Sequence, residues 1–260
     1  MKHIVNFSGG ACAFWAAHRV IEKYGRKDVT LLFADVLIEH HDLYTFNEWA
    51  ANKLGVPITR ICEGRTPWQV FRDEGFIGNS KTAICSMRLK REPLDLWHRQ
   101  NALEMDSIVY LGFDFTEWQR LTDLRAKRPA WRIEAPMTEP ELWDKCRIIE
   151  ECSKLGFPKQ TLYELGFPHN NCGGRCVTAG ISHWVHLLKV LPDAYAEWER
   201  EEELTIDLFT QRSIKIKTML RDRRGGEPKN LSLKTLRLRV EAGEKFSTLD
   251  WGGCGCSTHL

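Results

Sequence analysis

No apolar run in this chain of 260 residues approaches the ~20 residues that a membrane-spanning helix needs, so no bilayer span is expected. The N-terminus, MKHIVNFSGG, runs straight into a strand-like segment and offers no signal peptide, which points to a cytoplasmic protein. Internal repeats and low-complexity linkers are also missing, which speaks against a repeat array or a string of tethered modules. Net charge is small, +2. That near-neutrality conceals an asymmetry: residues 211–240 hold ten Lys or Arg against Asp222 and Glu227, a balance of +8, leaving −6 elsewhere. Such a stretch reads either as a solvated tail or as a positive lid over an anionic substrate or a nucleic acid.

What is present begins with a core. Hydrophobic residues make up 43% of the chain, enough for one large α/β domain, or one domain with an appendage. Strand-like runs at 3–7, 29–34, 57–62, 107–112 and 131–135 alternate with helical patterns at 13–24, 42–54, 67–74, 91–99 and 116–124. This alternation predicts an α/β fold, a mostly parallel sheet with helices on both faces. From residue 140 onward the pattern turns helical, giving a division into a nucleotide-binding α/β region, 1–155, and a helical, cysteine-containing C-terminal region with a basic tail, 156–260. Within it the Glu-rich EWEREEEL reads as a solvated helix face rather than a metal site. In such sheets ligands sit beyond the carboxyl ends of the strands. Ser8, Asp35 and the LGFD segment at 111–114 all follow predicted strands, so they are expected at one rim.

The first of these junctions is NFSGGACAFW, residues 6–15. A strand end, a Gly-Gly turn and a helix start suit a phosphate or sulfate group, because glycines allow close approach and the helix's free amides face the anion. ATP-using loops of this shape usually continue with a charged and a hydroxyl residue; here Cys12 and Ala13 follow.

Nine cysteines, at 12, 62, 85, 146, 152, 172, 176, 254 and 256, are an odd number. In a reducing compartment they point to metal or redox chemistry rather than to a disulfide frame. Cys172 and Cys176 form a CxxxC pair, Cys254 and Cys256 a CxC pair, and glycines flank both. Cys12, Cys62, Cys146 and Cys152 read as packing residues. His183 and His186, three apart on a helical pattern, and His40 and His41 are better explained as core or surface positions than as metal ligands. The tryptophans, Trp68, Trp97 and Trp143 among them, suit core contacts.

Four blocks in shared order resemble the sulfonucleotide (adenosine phosphosulfate and phosphoadenosine phosphosulfate, PAPS) reductases of the PP-loop, or adenine nucleotide α-hydrolase-like, superfamily. FADVLIEHHDLYTF resembles their DTGxxxxETY block, with Asp35, Asp42 and Tyr44 in register and Val36 in place of Thr. CSMRLKREPL resembles CCxxRKxxPL, with Cys85, Lys90, Pro93 and Leu94 in register and Ser86 where a second Cys stands. LGFDFTEWQR resembles the segment whose Glu and Arg hold the nucleotide, here Glu117 and Arg120. LYELGFPHNNCGGRC resembles LxxxGYxxxxCxxC, with one extra residue before Cys176.

The resemblance implies an adenine nucleotide (APS, PAPS or ATP) held by Ser8, Gly9, Gly10, Asp35, Lys90, Glu117 and Arg120. It implies a four-iron four-sulfur cluster on Cys85, Cys172 and Cys176, with Cys254 as fourth ligand because Ser86 suits iron poorly; zinc would use the same thiols. Cys256, with His259 at the family's Cys-x-x-His spacing, is the implied nucleophile, and a thioredoxin-like dithiol protein the implied reductant. The expected activity is reduction of an activated sulfate to sulfite. A second expectation is an ATP-dependent iron–sulfur sulfurtransferase acting on a nucleic acid, which the intact SGG and the basic stretch support and the missing loop Asp weakens. A non-enzymatic nucleotide-binding module is a third.

Overall fold

The computed structural model describes all residues except 159, 225 and 253–260. Its centre is a five-stranded, all-parallel sheet. Strand β1 (Lys2–Asn6) lies between β2 (Val29–Asp35) and β4 (Ser107–Leu111). Next to β2 runs β3 (Ile58–Cys62), and next to β4 runs β5 (Arg132–Glu134), giving the order β3-β2-β1-β4-β5. All five residues of β4 are buried, as expected of a parallel strand covered on both faces. Strand order reverses at β1, so the crevice beyond β1 and β4 is where a ligand is expected.

Helix α1 (Ala11–Tyr24) buries a face of small and aromatic residues, Ala13, Phe14, Ala16, Ala17 and Val20, so it lies close over the sheet. Helix α2 (His41–Leu54) adds Leu43, Phe46 and Ala50. Helix α3 (Pro67–Glu74) starts at a reciprocal Thr66–Gln69 capping box with Pro67 at its first position, a strong start signal. The next helix begins at Ile84, widens into a π turn at Met87–Arg91 and continues as α4 (Glu92–Asn101). Pro93 has no N–H for the carbonyl four residues back and its ring crowds that carbonyl; the wider turn accommodates it. Helices α5 (Trp118–Lys127) and α6 (Lys145–Lys154) complete the α/β part.

The C-terminal region holds α7 (Ile181–Val190), α8 (Pro192–Gln211), a two-stranded hairpin of β6 (Leu220–Asp222) and β7 (Lys229–Leu231), and α9 (Leu233–Glu241). Trp184, Tyr195, Trp198 and Phe209 from this region share one core with Val36, Ile38, Trp68 and Phe71 from the α/β part. Past α9 the chain returns: Ser182 N–H donates to Asp250 O and Gly180 N–H to Trp251 O, each at 2.9 Å, and Gly252 bridges to Ala179. Among the described residues no helix is long and apolar enough to cross a membrane.

Two expectations need correction. The Glu-rich segment is not a solvated face: Glu199 and Glu202 are buried. Glu199 pairs with Arg237 at 2.8 Å, and Glu203 with Lys234 at 2.7 Å. Glu202 accepts hydrogen bonds from the Met219 and Leu233 amides, tying α8 to the hairpin and to the start of α9. A helix read alone shows its charges but not the basic helix that folds back on it. Likewise, Cys152 is buried in the core, but Cys62 and Cys146 are exposed and do no packing, since edge strand β3 and the start of α6 leave them facing solvent.

Burial pushes the Glu202 carboxyl up from 4.5 to about 7. Between those values the folded state holds a proton that the unfolded state releases, so the contribution of Glu202 to stability is fully present below pH 4.5 and is lost as pH rises to about 7. At 1.36 kcal/mol per unit the loss is about 3 kcal/mol. Glu202→Gln is expected to flatten this slope in urea denaturation followed from about pH 5 to about pH 8. Equal slopes for the two proteins would remove Glu202 as its source.

Candidate functional site

Beyond the ends of β1 and β4 opens a cavity of about 430 Å³. Ser8 and Gly10, from the turn after β1, and the α1 residues Cys12 and Ala13 form one wall. Gly112, following β4, makes that wall possible: a Cβ there would lie 2.6 Å from Ala13 Cα. Gly9 serves the loop differently from the expectation of close ligand approach. It has φ +75°, and a Cβ would strike Leu43 and Asn47 of α2 at 2.8–3.0 Å.

Lys90, from the π turn, forms part of the cavity, as do Glu117 and Arg120. Glu117 and Arg120 are ion-paired, and the Arg120 guanidinium lies 4.6 Å from the centre of the Phe113 ring. Thus Ser8, Gly10, Lys90, Glu117 and Arg120 come together. Asp35 stands behind the cavity wall: its buried carboxylate accepts from Leu37 N at 2.8 Å, Tyr44 Oη at 3.0 Å and Arg60 Nε at 2.8 Å. Asp42 accepts from Thr161 N at 2.6 Å, fixing the helical turn Thr161–Glu164 opposite the loop.

Burial, with Asp114 nearby, pushes the Cys12 thiol up to about 11. The loop thus presents a neutral thiol where ATP-using loops place polar and charged groups. His98, also in the wall, is buried; burial and Arg128 lower it to about 4, so the imidazole is neutral at physiological pH. Its Nε2 lies 3.3 Å from Asn6 Oδ1.

A second, narrow cavity adjoins the first. Cys85, Ser86, Cys172 and Cys176 line it, and Lys90 lines both. Cys172 sits at φ +56°, a conformation that non-glycine residues adopt rarely. Its amide donates to Glu39, whose other carboxylate oxygen lies 3.2 Å from Lys90 Nζ. The turn is also held from behind, because His183 Nε2 bonds Gly174 O at 2.6 Å, just as His186 Nε2 bonds Leu165 O at 2.6 Å. Both histidines are therefore engaged with carbonyls, in keeping with a core role.

Three thiols around one cavity fit the donor chemistry of a cluster or of zinc. Among the described residues no group of three or more His, Cys, Asp or Glu is placed to hold a metal ion, so these three sulfurs alone do not close on one. Cys254, Cys256 and His259 lie outside the described residues.

Beyond the expected residues, His98, Lys145, Tyr163 and Asn170 also line the larger cavity, and Glu39 bonds Lys90 and Cys172. Glu39 and Asn170 fall inside the resembling blocks but on their variable positions; His98 and Lys145 carry no pattern signal.

No family model and no curated protein sequence matches the chain. Among solved structures it is similar to the phosphoadenylyl-sulfate (PAPS) reductase from Candida auris in its phosphate complex. The identity is 14% and the TM-score 0.46, over 65% of this chain and 80% of that one. It is also similar to the NMN synthetase from Francisella tularensis, at 15% identity and TM-score 0.43, over 82% of this chain and 84% of that one. At these identities and scores neither likeness decides what the site does. The parallel sheet, its strand order and the cavity at its switch point make this an α/β fold built on a five-stranded parallel sheet.

Proposed function

We propose that the chain is a PP-loop-type enzyme that binds an adenine nucleotide in the larger cavity and performs thiol-dependent sulfur chemistry beside it. Reduction of an activated sulfate to sulfite is the reading favoured here. The observation that carries it is the shared wall: Lys90 lines both the cavity with the phosphate loop and the cavity with three cysteines. A nucleotide with its anion at the loop has a cation and thiols at the next position along.

On this reading Ser8, the Gly10–Ala13 backbone, Lys90 and Arg120 orient the anionic end, and Cys85, Cys172, Cys176 and Cys254 hold a cluster or zinc. Such a centre would cross-link the Cys172 turn to the helix at Cys85 and, as a cluster, would supply redox capacity. Cys256, with His259, provides the thiolate. It forms a bond to the sulfonucleotide's sulfur as the sulfur–oxygen bond to phosphate breaks and the nucleoside phosphate leaves. A dithiol protein then reduces the thiosulfonate, releasing sulfite and becoming a disulfide.

The sulfurtransferase alternative loses support from the basic stretch, where Arg224, Lys234, Arg237 and Arg239 are paired with Asp222, Glu203, Glu199 and Glu244.

The test is anaerobic purification with iron, zinc and sulfide analysis, followed by calorimetric titration with APS, PAPS, ATP and RNA. Bound metal with sulfonucleotide binding is expected. Protein with neither metal nor nucleotide affinity overturns the proposal, and ATP cleavage to pyrophosphate shifts it to the transferase.

A further inference from the structure

Asn170 is 1% exposed and lines the larger cavity, yet neither its Nδ2 nor its Oδ1 has a hydrogen-bond partner among the described residues. Burying a carboxamide with both ends unmatched is unfavourable, and such groups in native proteins call for an explanation. Here the surroundings provide one. Tyr163, on the same wall, has the backbone amides of both Ala11 and Asn170 facing its hydroxyl. A Cβ on Gly10 would lie 3.4 Å from the Tyr163 hydroxyl. Asn170 is therefore at the loop end of the cavity, across from the start of α1. Lys145 lines the same end, its ammonium 5.4 Å from the centre of the Tyr163 ring. Two residues further on is Cys172, in the wall of the thiol cavity.

We infer that Asn170 is a specificity-determining residue that recognises the group joined to the α-phosphate of a bound nucleotide. The ligand class is an adenylyl anhydride, a nucleoside 5′-phosphate carrying a second phosphate or a sulfate. Nδ2 donates to an oxygen of that second group, and Oδ1 takes a proton donor such as a ligand hydroxyl or a water held with it. A nucleoside monophosphate reaches the loop but not this amide. The assignment rests on the nucleotide-binding reading above and adds to it the residue that separates anhydrides from monophosphates.

The experiment is calorimetric titration of the full-length protein and of Asn170→Ala and Asn170→Asp with AMP, ADP and APS. Wild-type protein is expected to bind ADP or APS more tightly than AMP. Asn170→Ala should weaken the anhydrides at least ~10-fold while leaving AMP within about 2-fold. Asn170→Asp should weaken them further, since a carboxylate repels the second anion. Equal changes for AMP and the anhydrides, or no change for either, overturn the assignment while leaving nucleotide binding intact. Wild-type protein that binds none of the three overturns the nucleotide reading itself, and this assignment with it. Should both variants misfold by circular dichroism, the comparison of AMP with APS on wild-type protein still decides: equal affinities overturn the proposal.

Discussion

A Gly112→Ala protein is expected to lose both stability and nucleotide binding. The added Cβ would sit 2.6 Å from Ala13 Cα and 2.7 Å from Ala13 N, both backbone atoms that no rotamer change can move. Relief requires α1 to slide away from β4, and α1 carries the end of the phosphate cradle. Overpacking of this kind costs roughly 1–3 kcal/mol and occasionally more. At the upper end the Tm falls by about 6–12 °C for a domain of this size. Gly10→Ala is the control, because its Cβ would meet nothing nearer than the Tyr163 hydroxyl at 3.4 Å. That variant should melt close to wild type. A Gly112→Ala protein with unchanged melting and nucleotide affinity would show that α1 and β4 are not as tightly joined as the geometry requires.

The second large effect concerns Lys90 and Glu39. Their side chains are 15% and 1% exposed and lie 3.2 Å apart. Lys90→Met strips the Glu39 carboxylate of its cation while it remains buried, a change that costs about 3–5 kcal/mol in comparable pairs. It also removes the ammonium that both cavities share, so nucleotide affinity should fall at least ~10-fold, since one such contact is worth more than 1.4 kcal/mol. Adding Glu39→Gln removes the stranded charge while preserving an acceptor for the Cys172 amide. The double variant should therefore recover most of the stability and none of the affinity. Chemical denaturation and calorimetry on the four proteins of this cycle separate the two roles. Recovery of binding in the double variant would make Lys90 a structural partner of Glu39 and nothing more.

The α/β part was legible because strand-like runs alternate with helical patterns: β1, β2 and β4 are mostly buried apolar runs, and the alternation placed the more exposed edge strands β3 and β5. The helix around residue 90 was legible only in part. The helical pattern reads from residue 91, whereas the helix begins at Ile84 and passes Pro93 by way of a π turn. That turn carries Lys90 into the wall of both cavities, so the least regular stretch lies at the candidate site. Ser8 and Gly10 could be named from the strand–turn–helix junction, whereas Lys90, Glu117 and Arg120 were named only by the blocks that resemble the reductases. Glu39 and Asn170 could not: a single polar residue acquires its meaning from burial and from what it faces, and neither is written in a pattern. Asp35 shows the reverse, a residue marked by its block whose carboxylate is occupied by Leu37, Tyr44 and Arg60.

The pairing of α9 with α8 also changes how this protein would meet a polyanion. Arg237 is held by Glu199 and Glu241, Arg239 by Asp222 and Glu244, and Lys234 by Glu203. For an unpaired cation, contact with a nucleic-acid phosphate is driven by release of the counterions condensed on the polymer, and affinity falls steeply with salt. Here each phosphate must first displace a carboxylate that then needs its own counterion from solution, so part of the entropy gained on one surface is returned on the other. Any affinity of this helix for RNA or DNA should accordingly be weak and only shallowly dependent on ionic strength, while added salt loosens the contact between α9 and α8 itself.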